Sequence, residues 1–307
     1  MTEKNIDLSV DIAGLKLENP VIGASGTFGF GREFADYMDL NRIGGISVKG
    51  LTLEKRQGNK PPRIAETPAG ILNSVGLQNP GVKAFIENEI PFLRKFSTKI
   101  IANIAGNTIE DYCSMAEQLS DADIDAIELN VSCPNVKKGC VAFGNSTAGI
   151  SEITGKVKKY CKKPLIVKLT PNVTDVKEIA VAAEDAGADA ISLINTILGM
   201  AIDIHRKRPI LANNVGGLSG PAVKPIAVRM VYEVASVVKI PVIGMGGISS
   251  GEDAVEFMLA GASAVMVGTA NFINPTACVD VVEGIKNYLK MYNHSSVYEI
   301  IGKLQLN

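Results

Sequence analysis

Eight short apolar runs, separated by segments of helical period, constrain this chain more than any other feature. The runs are Val21–Ala24, Gly45–Val48, Lys99–Ile104, Ala126–Asn130, Leu165–Leu169, Ala190–Ile194, Val242–Met245 and Ala264–Val267. Each is brief, nearly continuous in apolar residues and rich in Ile or Val, the pattern of strands buried on both faces. Between them lie amphipathic stretches such as Asp175–Ala186 and Ala222–Val238. Strict alternation of strand and helix predicts an α/β fold with a closed parallel (β/α)8, or TIM, barrel. An open doubly wound sheet is the alternative, weakened because no G-x-G-x-x-G follows the first strand. The 307 residues suit one barrel with insertions, so residues 1–307 are expected to form a single domain.

Several pieces exceed the bare barrel. Leu8–Leu17 reads as an N-terminal β-hairpin around Ala13-Gly14, placed to cap the bottom of the barrel. Long loops are expected after strands 2, 4 and 6. Leu51–Pro80 follows the second strand and Thr196–Pro221 the sixth, and both are too long for simple connectors. All three leave C-terminal strand ends, the face on which barrel active sites sit.

Composition removes several classes of function. Scattered Lys and Arg, 31 against 32 Asp and Glu, argue against nucleic acid as a partner. No apolar run reaches a membrane span, and the polar start Met1-Thr2-Glu3-Lys4-Asn5 has no signal-peptide core. A soluble cytoplasmic protein is expected. The cysteines are Cys113, Cys133, Cys140, Cys161 and Cys278, with no C-x-x-C pair. Neither a disulfide framework nor an iron–sulfur cluster held by this chain alone is expected. The two histidines, His205 and His294, predict no metal site by themselves.

The chemistry concentrates in Asn130-Val131-Ser132-Cys133-Pro134-Asn135, where the fourth strand ends. Asn130 should point into the barrel mouth, and Pro134 turns the strand into a loop. Carboxamides offer both donor and acceptor, which suits a planar, imide-like ligand. A thiol with a pKa of about 8.5 is a plausible base near neutral pH. Against this stands the ordinary buried cysteine, which the position between two Asn residues makes less apt. Lys49 and Lys168 end the second and fifth strands, where an ammonium needs an anionic partner unless it snorkels to solvent. Gly246-Gly247 and Gly268-Thr269 end the seventh and eighth strands, the usual phosphate site of such barrels. Gly220 is placed to complete that cradle, since glycine lets backbone N–H groups approach phosphate closely.

Asn-Val-Ser-Cys-Pro-Asn resembles the active-site signature of the dihydroorotate dehydrogenases, in which class 1 enzymes use Cys and class 2 enzymes use Ser. Other matching segments run in order along nearly the whole chain. They include Ala24-Ser25-Gly26, Val48-Lys49-Gly50, Asn73 to Gly81, Ile194-Asn195-Thr196, Gly216 to Ala222, Gly244 to Ile248 and Val267 to Ala270.

The resemblance implies FMN as cofactor and oxidation of (S)-dihydroorotate to orotate in pyrimidine biosynthesis, with Cys133 as the general base. It implies flavin contacts at Ser25, Lys49, Gly50, Asn103, Asn130, Lys168, Ile194, Gly220, Gly246, Gly247, Gly268 and Thr269. It implies substrate contacts at Lys49, Asn73, Ser74, Val75, Gly76, Leu77, Asn130, Asn135, Asn195 and Thr196. Cys140 departs from the family, which usually has glycine there. The segments Lys49–Asn59 and Pro61–Thr67 resemble class 1B, which passes electrons to NAD through a subunit carrying FAD and [2Fe–2S]. A heterotetramer is then expected, a homodimer of this chain flanked by two such partners. Three alternatives remain at this stage. They are a class 1A, fumarate-dependent enzyme, a relative of dihydropyrimidine dehydrogenase, and a non-redox phosphate-binding barrel.

Overall fold

The computed structural model describes residues 6–132 and 143–307, so Cys133, Asn135 and Cys140 lie outside the described residues. Eight parallel strands close in sequence order: β1 (Val21–Gly23), β2 (Gly45–Ser47), β3 (Lys99–Ile104), β4 (Ala126–Asn130), β5 (Leu165–Lys168), β6 (Ala190–Leu193), β7 (Val242–Met245) and β8 (Ala264–Val267). The ring shuts where Val265 and Met266 pair with Val21 and Ile22. Every residue of β1, β2 and β4 through β8 is buried, as the continuous apolar runs require. The first, second, fifth and sixth strands are each one residue shorter than the apolar run that predicts them.

Helices pack around the ring, among them α1 (Ile109–Ser120), α2 (Thr147–Lys158), α3 (Val176–Asp185), α4 (Lys224–Ala235), α5 (Gly251–Leu259) and α6 (Ala277–Met291). In α1 the buried residues Ile109, Tyr112, Ala116 and Leu119 recur at helical spacing and face the barrel. Thr108 and Asp111 close a reciprocal capping box at its start, a feature whose loss costs about 1 kcal/mol. The Tyr112 hydroxyl donates to the carbonyl of Asn130 at 2.9 Å, fixing this helix to the end of β4. The predicted segment Ala222–Val238 is a shorter α4 preceded by a 3-10 turn at Pro221–Val223, where Pro221 and Pro225 suit first-turn positions.

The N-terminal hairpin pairs Val10–Ile12 with Leu15–Leu17, and Val10, Ile12, Leu15 and Leu17 are all buried. Leu17 lies against Gly44 and Gly45 at the start of β2, so the hairpin does cap the N-terminal end of the barrel.

The two long insertions are not separate loops. Ile64–Thr67 and Gly70–Asn73 form a hairpin in the first, and Ile197–Gly199 and Gly216–Ser219 lie in the second. They join in one four-stranded antiparallel sheet, through pairs such as Leu72 with Leu218 and Leu198 with Gly217. This sheet stands at the C-terminal mouth of the barrel. Among the described residues, no helix is long and apolar enough to cross a membrane.

Candidate active site

A strand end supplies one inward side chain at every second residue. At the C-terminal mouth these are Ala24, Lys49, Asn103, Asn130, Lys168, Ile194, Met245 and Met266, one from each strand in order, and all eight line a single cavity. The antiparallel sheet adds Ile64, Ile71 and Leu218, and the loops add Val75, Gly76, Leu77, Asn195 and Thr196. The barrel thus supplies a floor and the two long insertions a wall.

Two residues below these strand ends the barrel core is unexpectedly polar. Glu128 has no exposed surface, and three donors converge on its carboxylate. The Ser47 hydroxyl meets Oε2 at 2.7 Å, the Asn103 amide meets Oε2 at 2.5 Å, and the Ser192 hydroxyl meets Oε1 at 2.7 Å. A carboxylate can only accept here, so Asn103 must turn its Nδ2 toward Glu128 and its Oδ1 toward Asn130. The Asn130 amide donates to that oxygen at 3.2 Å, while its own Oδ1 accepts from the Ser132 amide and hydroxyl at 3.2 and 3.0 Å. Asn195 donates to the Ser132 hydroxyl at 2.8 Å and accepts from the Thr196 amide at 2.8 Å. One chain of amides, each oriented by the next, runs from the buried carboxylate to the residue that precedes Cys133. Sequence reasoning missed Glu128, although an acidic residue inside a five-residue buried strand was the available signal.

Lys168 is 5% exposed, and its Nζ donates to the Ser25 hydroxyl at 3.3 Å. A nearly buried ammonium beside a neutral hydroxyl is poised for an anion. Across the same cavity run Gly220, Gly246, Gly247, Gly268 and Thr269. Gly247 has φ +79, and a Cβ there would stand 2.8 Å from the Lys224 Cβ and 2.9 Å from the Gly220 carbonyl. That packing leaves backbone as the lining surface, as a phosphate cradle demands. Lys224 is held by Asp253 at 2.8 Å and Glu256 at 2.7 Å, tying the start of α4 to α5. Burial pushes the Asp253 carboxyl up, but Lys224 and the Ser249 donors outweigh it and hold it at about 2. Thr269 donates to the Ser219 hydroxyl at 2.8 Å, and Ser219 joins the lining without having been singled out in the sequence.

With one exception, the described residues selected from the sequence line this cavity. The exception is Ser74, which has no exposed surface and stands behind the wall formed by Asn73 and Val75. Its amide donates to the Arg63 carbonyl at 2.8 Å, which holds it on the far side of the strand end. The apolar liners Met245, Met266, Val223 and Phe272 were not selected, because an apolar strand residue carries no signal that separates cavity from core. Cys278 is buried at α6, where burial pushes its thiol up to about 12, and burial also raises Cys113 and Cys161. These three are poor bases at neutral pH.

A model of the family described as dihydroorotate dehydrogenase matches residues 7–289. The chain belongs to that family. It is accordingly a flavin-dependent oxidoreductase. A protein of Alkaliphilus oremlandii named dihydroorotate dehydrogenase B (NAD(+)), catalytic subunit, is 63% identical over 304 residues, covering 99% of this chain and 100% of that one. Proteins of the same name from Thermoanaerobacter pseudethanolicus and Bacteroides thetaiotaomicron are each 60% identical, over 302 and 301 residues. Each alignment covers 98% of this chain, and 100% and 99% of the relative respectively. The family match agrees with a cavity that combines a glycine cradle, an enclosed cation and ordered carboxamides.

Proposed function

We propose that this chain oxidises (S)-dihydroorotate to orotate in pyrimidine biosynthesis, with FMN resident in the barrel mouth and Cys133 as the general base. One observation carries the reading: a nearly buried Lys168 lines the same cavity as the backbone cradle of Gly220, Gly246, Gly247 and Gly268. A flavin mononucleotide offers a ring system that takes up negative charge on reduction and a phosphate, which are the two groups these features fit. FMN, when bound, supplies the two-electron acceptor that oxidation of the C5–C6 bond requires.

The chain's own residues do the rest. Lys168 with Ser25 would meet the flavin ring, and the glycine turns its phosphate. Lys49 would take the substrate carboxylate together with the backbone at Gly76 and Leu77. Asn73, Asn130, Asn135 and Asn195 would pair with the amide edges of the substrate ring. The amide chain anchored on Glu128 supports this assignment, because it fixes which edge of Asn103, Asn130 and Asn195 is donor and which acceptor. Cys133 would remove the C5 proton, which the adjacent carbonyl acidifies. The wall built from the two long insertions would help to keep bulk water from the bound substrate.

Electrons would pass on to NAD through a partner subunit carrying FAD and [2Fe–2S], two copies of which flank a homodimer of this chain. The names of the relatives, catalytic subunits of NAD(+)-type enzymes, support a separate partner. Large apolar side chains around the second insertion also suit an interface, with Met200 51%, Ile202 56% and Ile204 74% exposed. The test is anaerobic mixing of the FMN-loaded chain with dihydroorotate, followed by turnover with candidate acceptors. Bleaching of the flavin, turnover with a dye and little turnover with NAD alone are expected. Efficient reduction of NAD by the isolated chain would exclude the relay, and efficient turnover with fumarate would move the protein to class 1A.

A further inference from the structure

Beside the barrel mouth lies a second, more open cleft, which shares Lys49 and Val75 with the cavity described above. Lys55, Arg56, Gln57 and Gln78 line it further out, and no carboxylate does among the described residues. Lys55 is exposed and Arg56 half-buried, and neither forms a salt bridge among the described residues. The protein only partly satisfies the Arg56 guanidinium. Among the described residues Nη1 is buried without a hydrogen-bond partner, and Nη2 reaches Asn107 Oδ1 at 3.5 Å.

The cations are held in place. Arg56 and Asn79 exchange backbone hydrogen bonds at 3.0 and 3.1 Å, and the Asn59 amide donates to the Val75 carbonyl at 2.9 Å. Asn79 in turn binds the Leu77 carbonyl at 2.7 Å and the Gly81 amide at 2.9 Å. The segment that carries Lys55 and Arg56 is therefore fastened to the segment that walls the inner cavity. Two cations lead along a rigid surface to a third, Lys49, which belongs to both spaces.

We propose that this cleft is an outer anion site, where Lys55 and Arg56 capture the carboxylate of the incoming substrate before Lys49 receives it. The inference rests on the reading above that the substrate is dihydroorotate, a monoanion. A unit charge about 7 Å from the path, in a water-like dielectric, enriches a monoanion about threefold, so two such charges enrich it roughly five- to tenfold. Mobile ions erase the effect once the screening length falls well below that distance.

The experiment is stopped-flow bleaching of the FMN-loaded chain by dihydroorotate, at about 20 mM and about 500 mM salt. Parent, Lys55→Gln/Arg56→Gln and Lys55→Glu are compared, and orotate affinity is read from the flavin absorbance. Lys55 is exposed, so Lys55→Glu keeps the test open even if the Arg56 change disturbs the loop. At low salt the second-order rate should fall about fivefold in the double variant, with the limiting rate at saturation within about twofold of parent. Lys55→Glu should fall in the same direction, orotate should bind more weakly to both, and the differences should vanish at high salt. Equal second-order rates at low salt, a deficit that persists at high salt, or a fall in the limiting rate would each overturn the outer site. Parent protein whose flavin dihydroorotate fails to bleach would overturn the underlying reading, and the outer site with it.

Discussion

Gly220→Ala tests how the mouth of this barrel holds its cofactor. Gly220 has φ +102 and ψ −171, a backbone region used almost only by glycine. A Cβ there would stand 2.7 Å from the Gly70 Cα and 3.2 Å from the Ala69 carbonyl oxygen, and both of those are backbone atoms. The neighbouring strand cannot simply step back, because the Ala222 amide donates to the Ala69 carbonyl at 3.0 Å and Ser219 pairs with Ile71. The backbone conformation costs an alanine about 1–3 kcal/mol. Relieving the clash by giving up one hydrogen bond adds about 1 kcal/mol. A total of about 2–4 kcal/mol falls on a turn that lines the cavity and lies outside the barrel core. Apo-protein should stay folded by opening this turn, and because FMN needs the turn closed the cost returns on binding, so FMN binds roughly 30- to 1000-fold more weakly. Fluorescence titration of apo-protein with FMN measures this, with thermal unfolding followed in parallel. Gly155→Ala is the control. It sits inside α2 with nothing nearer than 3.8 Å to the added methyl, and should stabilise by up to about 1 kcal/mol. An unchanged FMN affinity in Gly220→Ala, or equal melting losses in both variants, would refute the reasoning.

Cys133→Ala should retain FMN but slow its reduction by dihydroorotate by about two to four orders of magnitude, read by anaerobic stopped flow. Normal reduction in that variant would remove Cys133 as the base. Lys168→Ala should lower FMN occupancy or shift the flavin potential downward, since the nearly buried cation favours the negatively charged reduced ring; redox titration checks it. Asp253→Asn should cost about 1 kcal/mol at neutral pH, a value discounted for partial exposure. Because the folded carboxyl is depressed to about 2, that advantage is present above the unfolded value near 4 and is lost as pH falls toward 2. Urea melts of both proteins from pH 7 downward should converge over that window.

The barrel was legible in the sequence because strands buried on both faces must be continuous in apolar residues, and few folds contain eight of them in alternation with helices. The strand-end residues were legible for a related reason. Lys49, Asn103, Asn130 and Lys168 interrupt apolar runs where a polar side chain needs a partner, and all four line the cavity. Ser74 stands behind the cavity wall, a placement that a contiguous motif does not reveal because it depends on which way each side chain turns as the strand Gly70–Asn73 ends. Pairing of the two long insertions into one sheet could not be read locally. Gly70–Asn73 and Gly216–Ser219 are far apart in the chain, and only closure of the barrel brings their anchoring strand ends together. The direction of the amide chain was equally hidden. A carboxamide has no preferred orientation by itself, and it took the buried Glu128, surrounded by Ser47, Asn103 and Ser192 from three different strands, to decide which way each one turns.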